Sequence, residues 1–401
     1  MPIGIRHSAS KEVFKIKLKS RLGLLISGLF VLVLLGIGLS IWKTQQAQNT
    51  TTATVANNVT NRYQEWEKAY LAGGRQKYVK TNNGVGSTQT LSEAQGYGML
   101  VTAYAAKKGL STQTTFNQLT RYYLAHRISS STPLMAWRQT MTNGKMVSSK
   151  TEQNSATDGD LDIAYALILA DQQWGSKGSI NYQDLAKKLI AAIKKDELNQ
   201  TTHLPKVGNW ATTTDTADVV RTSDLITLYF KKFASYTDDR SWLTVASQSQ
   251  QALAKLSAQH QSGLMADFVT IAGSDLTVTA VKPKQVATSY DDDYAYNACR
   301  VPWRLAASYQ ASPDKTTKKV LTKMLTFFAK QKKITAVYTL NGKAINHYTN
   351  LAFTAPVFYA AKVMNQTTLT KQYAGTLSKT ISENNYYPAT IQLLMLLQLP
   401  K

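Results

Sequence analysis

A single cysteine, Cys299, stands in 401 residues, so no disulfide can close within the chain. A chain of this length can do without one, because it buries a core of its own in one large or two ordinary domains. Metal-binding patterns are missing too. The five histidines, His7, His126, His203, His260 and His347, are scattered, and neither H-E-x-x-H nor C-x-x-C occurs. No metal and no cofactor are therefore expected. The other shortage is of acids: 24 Asp and Glu face 46 Lys and Arg, a net charge of +22. Such a balance favours anionic neighbours, whether nucleic acid, a membrane surface or wall polymers.

Charge is absent altogether from Leu22 through Trp42, directly after a segment with Arg6, Lys11, Lys15, Lys17, Lys19 and Arg21 against one acid, Glu12. Those 21 residues suffice for a hydrocarbon core of about 30 Å, whereas the apolar core of a signal peptide spans about 7–15 residues. The basic flank predicts a cytoplasmic segment, 1–21, and a remainder outside the cell. No A-x-A site follows. The reading is an uncleaved transmembrane signal anchor, 22–42, single-pass in the cell membrane, with secretion after cleavage as the alternative. Residues 43–58, rich in Gln, Asn, Thr and Ala, read as a flexible linker. Residues 50–401 still hold 39 Lys and Arg against 23 Asp and Glu, so a net +16 is not membrane topology. Outside a cell its natural partners are anionic wall polymers or polysaccharide, not nucleic acid.

What remains, 59–401, reads as helix after helix. Apolar periodicity predicts helices at about 59–72, 91–107, 112–126, 160–174, 183–195, 220–234, 241–257, 296–310, 315–331, 350–363, 368–380 and 387–397. Segment 183–195 is the clearest: Leu185, Leu189, Ala192 and Ile193 share a face, and Lys187, Lys188, Lys194 and Lys195 point away. Ser111-Thr112, Ser312-Pro313-Asp314 and Ser382-Glu383-Asn384 look like helix caps. Leu276–Val281 and Ile334–Leu340, the latter before Asn341-Gly342, read as hairpin pieces in loops. Strands do not alternate with helices, which argues against a parallel sheet. Twelve paired helices predict an all-α fold, an (α/α)6 barrel, and a monomer; an α-solenoid is the alternative, without any visible sequence repeat.

Two stretches carry chemistry. In Leu91-Ser92-Glu93-Ala94-Gln95-Gly96-Tyr97-Gly98-Met99 a carboxylate opens a helix. Ser92 and Gln95 have the spacing of a capping box. Gly96 and Gly98 cost a helix about 1 kcal/mol each against Ala, so close approach of a ligand or a neighbouring helix must compensate. The plain reading of Glu93 is a solvated first-turn residue. In Ala156-Thr157-Asp158-Gly159-Asp160-Leu161-Asp162, Thr157 or Asp158 can cap a helix whose Leu161, Ala164, Leu167 and Ile168 follow helical spacing. Three carboxylates at a helix start are partly a response to its dipole. A calcium loop fits less well, since neither a third ligand nor a glutamate at the twelfth position follows.

Both stretches, Ser92–Met99 and Ala156–Ala164, resemble the signature blocks of glycoside hydrolase family 8, endo-acting β-1,4-glycanases on an (α/α)6 barrel. Leu134–Trp137, Gly208-Asn209-Trp210, Gly263–Phe268 and Tyr296–Arg304 resemble the family in order and spacing, and the likeness covers about 60–399. It implies inverting hydrolysis. One protonated carboxyl donates to the leaving oxygen and one carboxylate activates water on the opposite face, about 6.5–9.5 Å away. By resemblance Glu93 is the general acid, and Asp158 holds the sugar at the cleavage point and assists its distortion. Asp160 stays at the helix start or bonds the backbone.

The base departs from the cellulase pattern. Where those members carry aspartate before Ala-x-Arg-x-Pro, this chain has Asn297, as chitosanase-like and lichenase-like members do. That branch draws its base from the preceding loop, here Tyr290-Asp291-Asp292-Asp293-Tyr294, so Asp291, Asp292 and Asp293 are the candidates. The glutamate expected slightly earlier is replaced by Ala287, Thr288 and Ser289. Sugar rings present C–H faces to aromatic rings, which makes Tyr97, Trp137, Trp210 and Trp303 candidate platforms, with Asn297 and Arg300 also in the binding set and Arg304 beside them. The substrate class is β-linked polysaccharide: glucan, mixed-linkage glucan or a related surface polymer. The alternative is a polysaccharide-binding cell-wall protein, weakly active or inactive, on the same scaffold.

Overall fold

The computed structural model describes residues 43–44, 58–81 and 86–400. The expected anchor, 22–42, and all but the ends of the expected linker lie outside the described residues. Among the described residues no helix is long and apolar enough to cross a membrane.

Among the described residues of 58–400, twelve helices alternate between two rings. Six form the inner ring: α2 (Ser92–Lys107), α4 (Thr157–Trp174), α6 (Thr227–Thr237), α8 (Val301–Ala311), α10 (Leu351–Val363) and α12 (Tyr386–Gln398). Each touches the next, and α12 closes back on α2. The outer helices are α1 (58–70), α3 (Gln113–Ala125), α5 (Tyr182–Asp196), α7 (Ser241–Gln259), α9 (Lys315–Ala329) and α11 (Thr367–Gln372). This is an (α/α)6 barrel. Sequence separates the rings. Helices α2, α4, α10 and α12 are buried almost throughout. Helix α5 buries Ala186, Leu189, Ile190 and Ile193 along one stripe and turns its lysines to water. Trp66 of α1, fully buried, donates its indole N–H to Thr390 Oγ1 at 2.9 Å and ties the first helix to the last.

The starts of α2, α10 and α12 line one cavity, through Glu93, Asn350 and Tyr386, while their far ends, with that of α8, line another through Lys107, Ala311 and Leu397. Deep between them lies a polar knot. Arg304 of α8 donates to Asp162 Oδ2 at 2.6 Å and to the Tyr229 hydroxyl, which in turn donates to Asp162 Oδ1 at 2.7 Å. Every charge in it is paired, as burial demands.

The glycines of the opening motif serve the contact of α2 with α4. A Cβ on Gly96 would lie 2.8 Å from the Cβ of Asp162, one on Gly159 would strike Ser92, and one on Gly98 would lie 2.6 Å from Val79 Cγ2. Helix packing, rather than ligand access, compensates their low helix propensity. We expect Gly159→Ala to lower stability by about 1–3 kcal/mol through overpacking, read as a reduced urea midpoint. An unchanged midpoint would mean that α2 and α4 can separate freely.

Short strands cap the barrel. Strands β1 (Leu71–Ala72) and β2 (Tyr78–Val79) pair, as do β4 (Arg127–Ser129) and β5 (Thr132–Met135). Strand β6 (Arg138–Thr142) lies between β3 (Gln89–Leu91) and β7 (Lys145–Val147), and β9 (Phe268–Ala272) lies between β8 (Val219–Arg221) and β10 (Thr277–Ala280). The expected strand at 276–281 is β10, but its partner is β9. The stretch 334–340 forms only single bridges, Tyr294 to Tyr338 and Tyr338 to Ala344.

Several expected helix ends move. The predicted helix 220–234 begins at Thr227, because Val219-Val220-Arg221 pairs with β9 and a 3-10 turn, Thr222–Asp224, follows. The predicted start at 296 becomes a 3-10 turn, Ala298–Arg300, before α8. Helix α11 stops at Gln372, and Gly375 then takes a left-handed φ of 79°. The capping box at Ser92 is absent: Leu91 is the N-cap, and Ser92 sits inside the first turn against Gly159. Neither Thr157 nor Asp158 caps α4, whose N-cap is Ala156, and α12 starts after Asn385 without a side-chain cap. Thr112 precedes α3 but gives its hydroxyl to Thr102 O. Asp314 does cap α9, accepting from Thr317 N at 2.8 Å.

Candidate active site

Glu93 sits in the first turn of α2, and its side chain keeps 18% of its surface in a cavity of about 560 Å³. Asn350 and Tyr386, from the starts of α10 and α12, line that cavity with Trp137, Arg138, Tyr296, Asn297 and Tyr387. Asp158, in the first turn of α4, is more enclosed at 6%. Between the two carboxylates lies Arg300. Its Nη1 reaches Glu93 Oε2 and Asp158 Oδ2, each at 3.1 Å, and the Tyr97 hydroxyl at 2.9 Å. Its Nη2 donates to Asn297 Oδ1 at 2.9 Å. The 3-10 turn before α8 holds this guanidinium in place.

The two carboxyls are poised differently. Burial pushes the Glu93 carboxyl up to about 7; Arg300 opposes this and the Asp158 charge reinforces it. Asp158 is also buried, but Arg221 and Arg300 outweigh that cost and hold its carboxyl below the usual range. Arg221 forms an ion pair with Asp158 Oδ1 at 3.0 Å and donates to Asp224 Oδ2 at 3.0 Å. Near neutral pH the site therefore offers a carboxyl able to give a proton at the cleft wall, and beside it a carboxylate locked in its charged form. Two acids whose surroundings drive their ionisation apart divide into donor and charged partner.

The three aspartates of the 290–294 loop scatter. Asp291 is fully buried, and its carboxylate accepts the backbone N–H groups of Val286 at 2.6 Å, Ala287 at 2.9 Å and Thr288 at 2.7 Å. It shapes the loop and cannot meet a water, so Asp291 is withdrawn as a catalytic candidate. Asp292 lines a separate cavity of about 310 Å³ among Val278, Val281 and Leu340. Asp293 is half-buried, with its carboxyl pushed up to about 6 by burial and by Asp292. Its carbonyl accepts Asp267 N at 2.8 Å. Glu93 is the carboxylate on the lining of the 560 Å³ cavity.

The candidate platforms also divide. Tyr97 is fully buried with its hydroxyl on Arg300, and Trp303, 1% exposed, donates to Gln398 Oε1 at 3.2 Å. Neither presents a ring face to a ligand; both pack the barrel core. Trp137 lines the cavity, with the Arg138 guanidinium 4.5 Å over its ring, and its carbonyl accepts Ser92 N at 2.9 Å. Trp210 is 41% exposed. Arg300, fully buried, holds carboxylates instead of meeting ligand. Asn297 lines the cavity, but both ends of its amide are engaged, Oδ1 by Arg300 and Nδ2 by Asp267 Oδ2 at 3.0 Å. It therefore has little freedom to orient a water.

Sequence reasoning passed over Arg221, Asp267 and Tyr386. Arg221 sits in a segment with helical periodicity, and nothing local marks it as a partner of Asp158. Asp267 lies in the Gly263–Phe268 block and accepts the backbone N–H groups of Ala295, Asn297 and Ala298. Tyr386 opens α12 and donates to Glu93 Oε1 at 3.4 Å.

A helical barrel in which the starts of α2, α10 and α12 line an aromatic cleft, with a carboxyl raised to about 7 at its wall, is the architecture of a glycoside hydrolase. The chain belongs to Glycosyl hydrolases family 8, whose description matches residues 40–400. It is 34% identical to a beta-glucanase of Niallia circulans over 86% of this chain and 84% of the relative. It is 33% identical to an endoglucanase of a Bacillus species over 77% and 68%. The apo structure of a beta-1,3-1,4-glucanase from a Paenibacillus species superposes with a TM-score of 0.77 at 33% identity, covering 86% and 91% of the two chains. A cold-adapted family 8 xylanase, 18% identical with a TM-score of 0.73, shares the fold.

Proposed function

We propose that this glycosidase is endo-acting and inverting and cleaves β-1,4-linked polysaccharide, glucan or mixed-linkage glucan, outside the cell. The observation that carries this reading is Glu93, protonated near neutral pH at the wall of the cleft and linked through Arg300 to an ionised Asp158. Glu93 donates to the glycosidic oxygen. Asp158 sets the sugar at the cleavage point, and Trp137 and Trp210 carry neighbouring rings. The beta-glucanase and beta-1,3-1,4-glucanase relatives support a glucan substrate. For the base, Asp293 is the remaining member of its loop that is neither buried against backbone donors nor turned into the apolar cavity. Its carboxyl near 6 is ionised at neutral pH, as activation of water requires.

Incubation with barley mixed-linkage glucan, followed by chain-length analysis and NMR of the first-formed anomer, tests the reading. It expects oligosaccharides of the α-anomer. Retention of the β-anomer would overturn the mechanism, and no release from mixed-linkage glucan or cellulose derivatives would overturn the function. Asp293→Asn should lower kcat by about 10²-fold or more with KM little changed. An unaltered kcat removes Asp293 from the reaction.

Burial also sharpens the charge argument. Among the described residues eight Asp and Glu are buried against two Arg, so their exposed surface is more basic than their net charge implies. Salt-sensitive attachment to an anionic wall polymer follows from this.

A further inference from the structure

Beneath the cleft lies a second pair of carboxyls that donates nothing to a substrate. Asp160, one turn of α4 below Thr157, and Glu197, just past the end of α5, are both fully buried. Asp160 Oδ1 accepts Met135 N at 3.0 Å, and Glu197 Oε1 accepts the Ser155 hydroxyl at 2.5 Å. Their other oxygens, Asp160 Oδ2 and Glu197 Oε2, are buried and lie outside any formed hydrogen bond. The two carboxyls are near enough for each to perturb the other's ionisation, with the Thr157 hydroxyl also beside Glu197. Two carboxylate oxygens can bond to each other only when a proton lies between them.

The surroundings of this pair are the supports of the cleft. Met135 stands two residues before Trp137. Asp160 stands two residues after Asp158 on the same helix. Ser155 is doubly bonded to Asn209: Asn209 N donates to Ser155 Oγ at 3.0 Å, and Ser155 N donates to Asn209 Oδ1 at 2.9 Å. Asn209 precedes Trp210, and Lys206, at the root of the same loop, donates its N–H to Glu197 O at 2.8 Å. The pair therefore sits where β5, the start of α4, the end of α5 and the Trp210 loop converge.

We propose that Asp160 and Glu197 are positioning residues that share one proton and thereby hold Trp137, Asp158 and Trp210 in register for a glycan chain. This rests on the reading of the cleft as a glucan site. Loss of the shared proton places two like charges in a dry site, and the pieces it joins separate. Burial, the neighbouring carboxyl and Asp158 push Asp160 well up, and burial pushes Glu197 up to about 7. The other titratable groups facing the pair are Tyr123 from α3, Asp224 from the turn before α6, and Lys206 from the loop. Asp224, at about 6, is already ionised through the window where the pair loses its proton.

The test uses Glu93→Gln as a non-hydrolysing parent and measures affinity for mixed-linkage glucan from pH 6.5 to 9. The parent should lose about tenfold in affinity as pH rises, the equivalent of about 1.4 kcal/mol. Adding Glu197→Gln puts a permanent amide donor on Asp160, and the affinity should stay flat. Asp160→Asn, which donates in the opposite direction, should do the same and serves if the first variant folds poorly. A parent already flat over this range, or amide variants that fall as the parent does, overturns the proposal. A parent that binds glucan at no pH overturns the functional reading instead. In that event, urea midpoints still decide the shared proton: the wild-type midpoint should fall between pH 6.5 and 9 more than that of Glu197→Gln, and parallel curves refute it.

Discussion

Replacing Glu93 with Gln should lower glucan hydrolysis by about 10²–10⁴-fold while leaving glucan affinity in place. The amide matches the carboxyl in shape and keeps an acceptor for Arg300, but has no proton to give to a leaving oxygen. A variant that retains more than a tenth of wild-type kcat would remove Glu93 from the role of acid. The pH profile supplies a second check. The acid works only when protonated, and its carboxyl lies at about 7, so kcat/KM should decline above that pH. Stability should respond in the same window. The folded-state value is raised above the ordinary 4.5 of a glutamate, so the stability that Glu93 contributes is complete at low pH and is lost as pH rises toward 7. Glu93→Gln should therefore match the wild type near pH 4 and exceed it at pH 8 by up to about 3 kcal/mol. Equal stabilities at pH 8 would mean that Glu93 is ordinary and solvated.

Removal of the central cation should have the largest structural consequence. Arg300→Met keeps much of the side-chain volume but leaves Glu93 without its nearest charge and Asp158 with Arg221 alone. Breaking one side of a buried pair costs about 3–5 kcal/mol, so the melting temperature should fall markedly. Arg300 also lowers the Glu93 carboxyl, so in whatever activity survives, the alkaline limb should move to higher pH. Calorimetry and a pH–rate profile read the two effects separately. A wild-type melting temperature with an unmoved alkaline limb would show that Arg300 couples to neither carboxylate.

Much of the fold follows from local pattern. Twelve helices appear where apolar periodicity places them, because an inner helix buried on all sides and an outer helix buried along one stripe leave different traces in sequence. The ends that moved did so for reasons local pattern does not hold: Val219–Arg221 became a strand when β9 arrived from elsewhere in the chain, and Ser92 gave up its cap to pack on Gly159. The same division runs through the site. Glu93 and Asp158 are marked by their motifs, each in a helix's first turn. Their different ionisation is not, since it arises from Arg300 and Arg221, which lie far along the chain.

The aromatic and acidic candidates make the distinction clearest. Trp137 and Trp303 carry the same side chain, and Asp291 and Asp293 stand two residues apart. Yet Trp137 lines the cleft and Trp303 fills the core, while Asp291 is tied to three backbone donors and Asp293 is half-exposed. Residue type states what a side chain can do. Burial and the partners brought by other segments decide whether it does so, because both the cost of charge and access to a ligand are properties of the assembled surroundings. The sequence by itself determined the barrel and the family, and its motifs marked Glu93 and Asp158 as the carboxyls to examine. Only the tertiary structure decided which ring and which carboxylate face the cleft, and it buried a second pair of carboxyls, Asp160 and Glu197, beneath them.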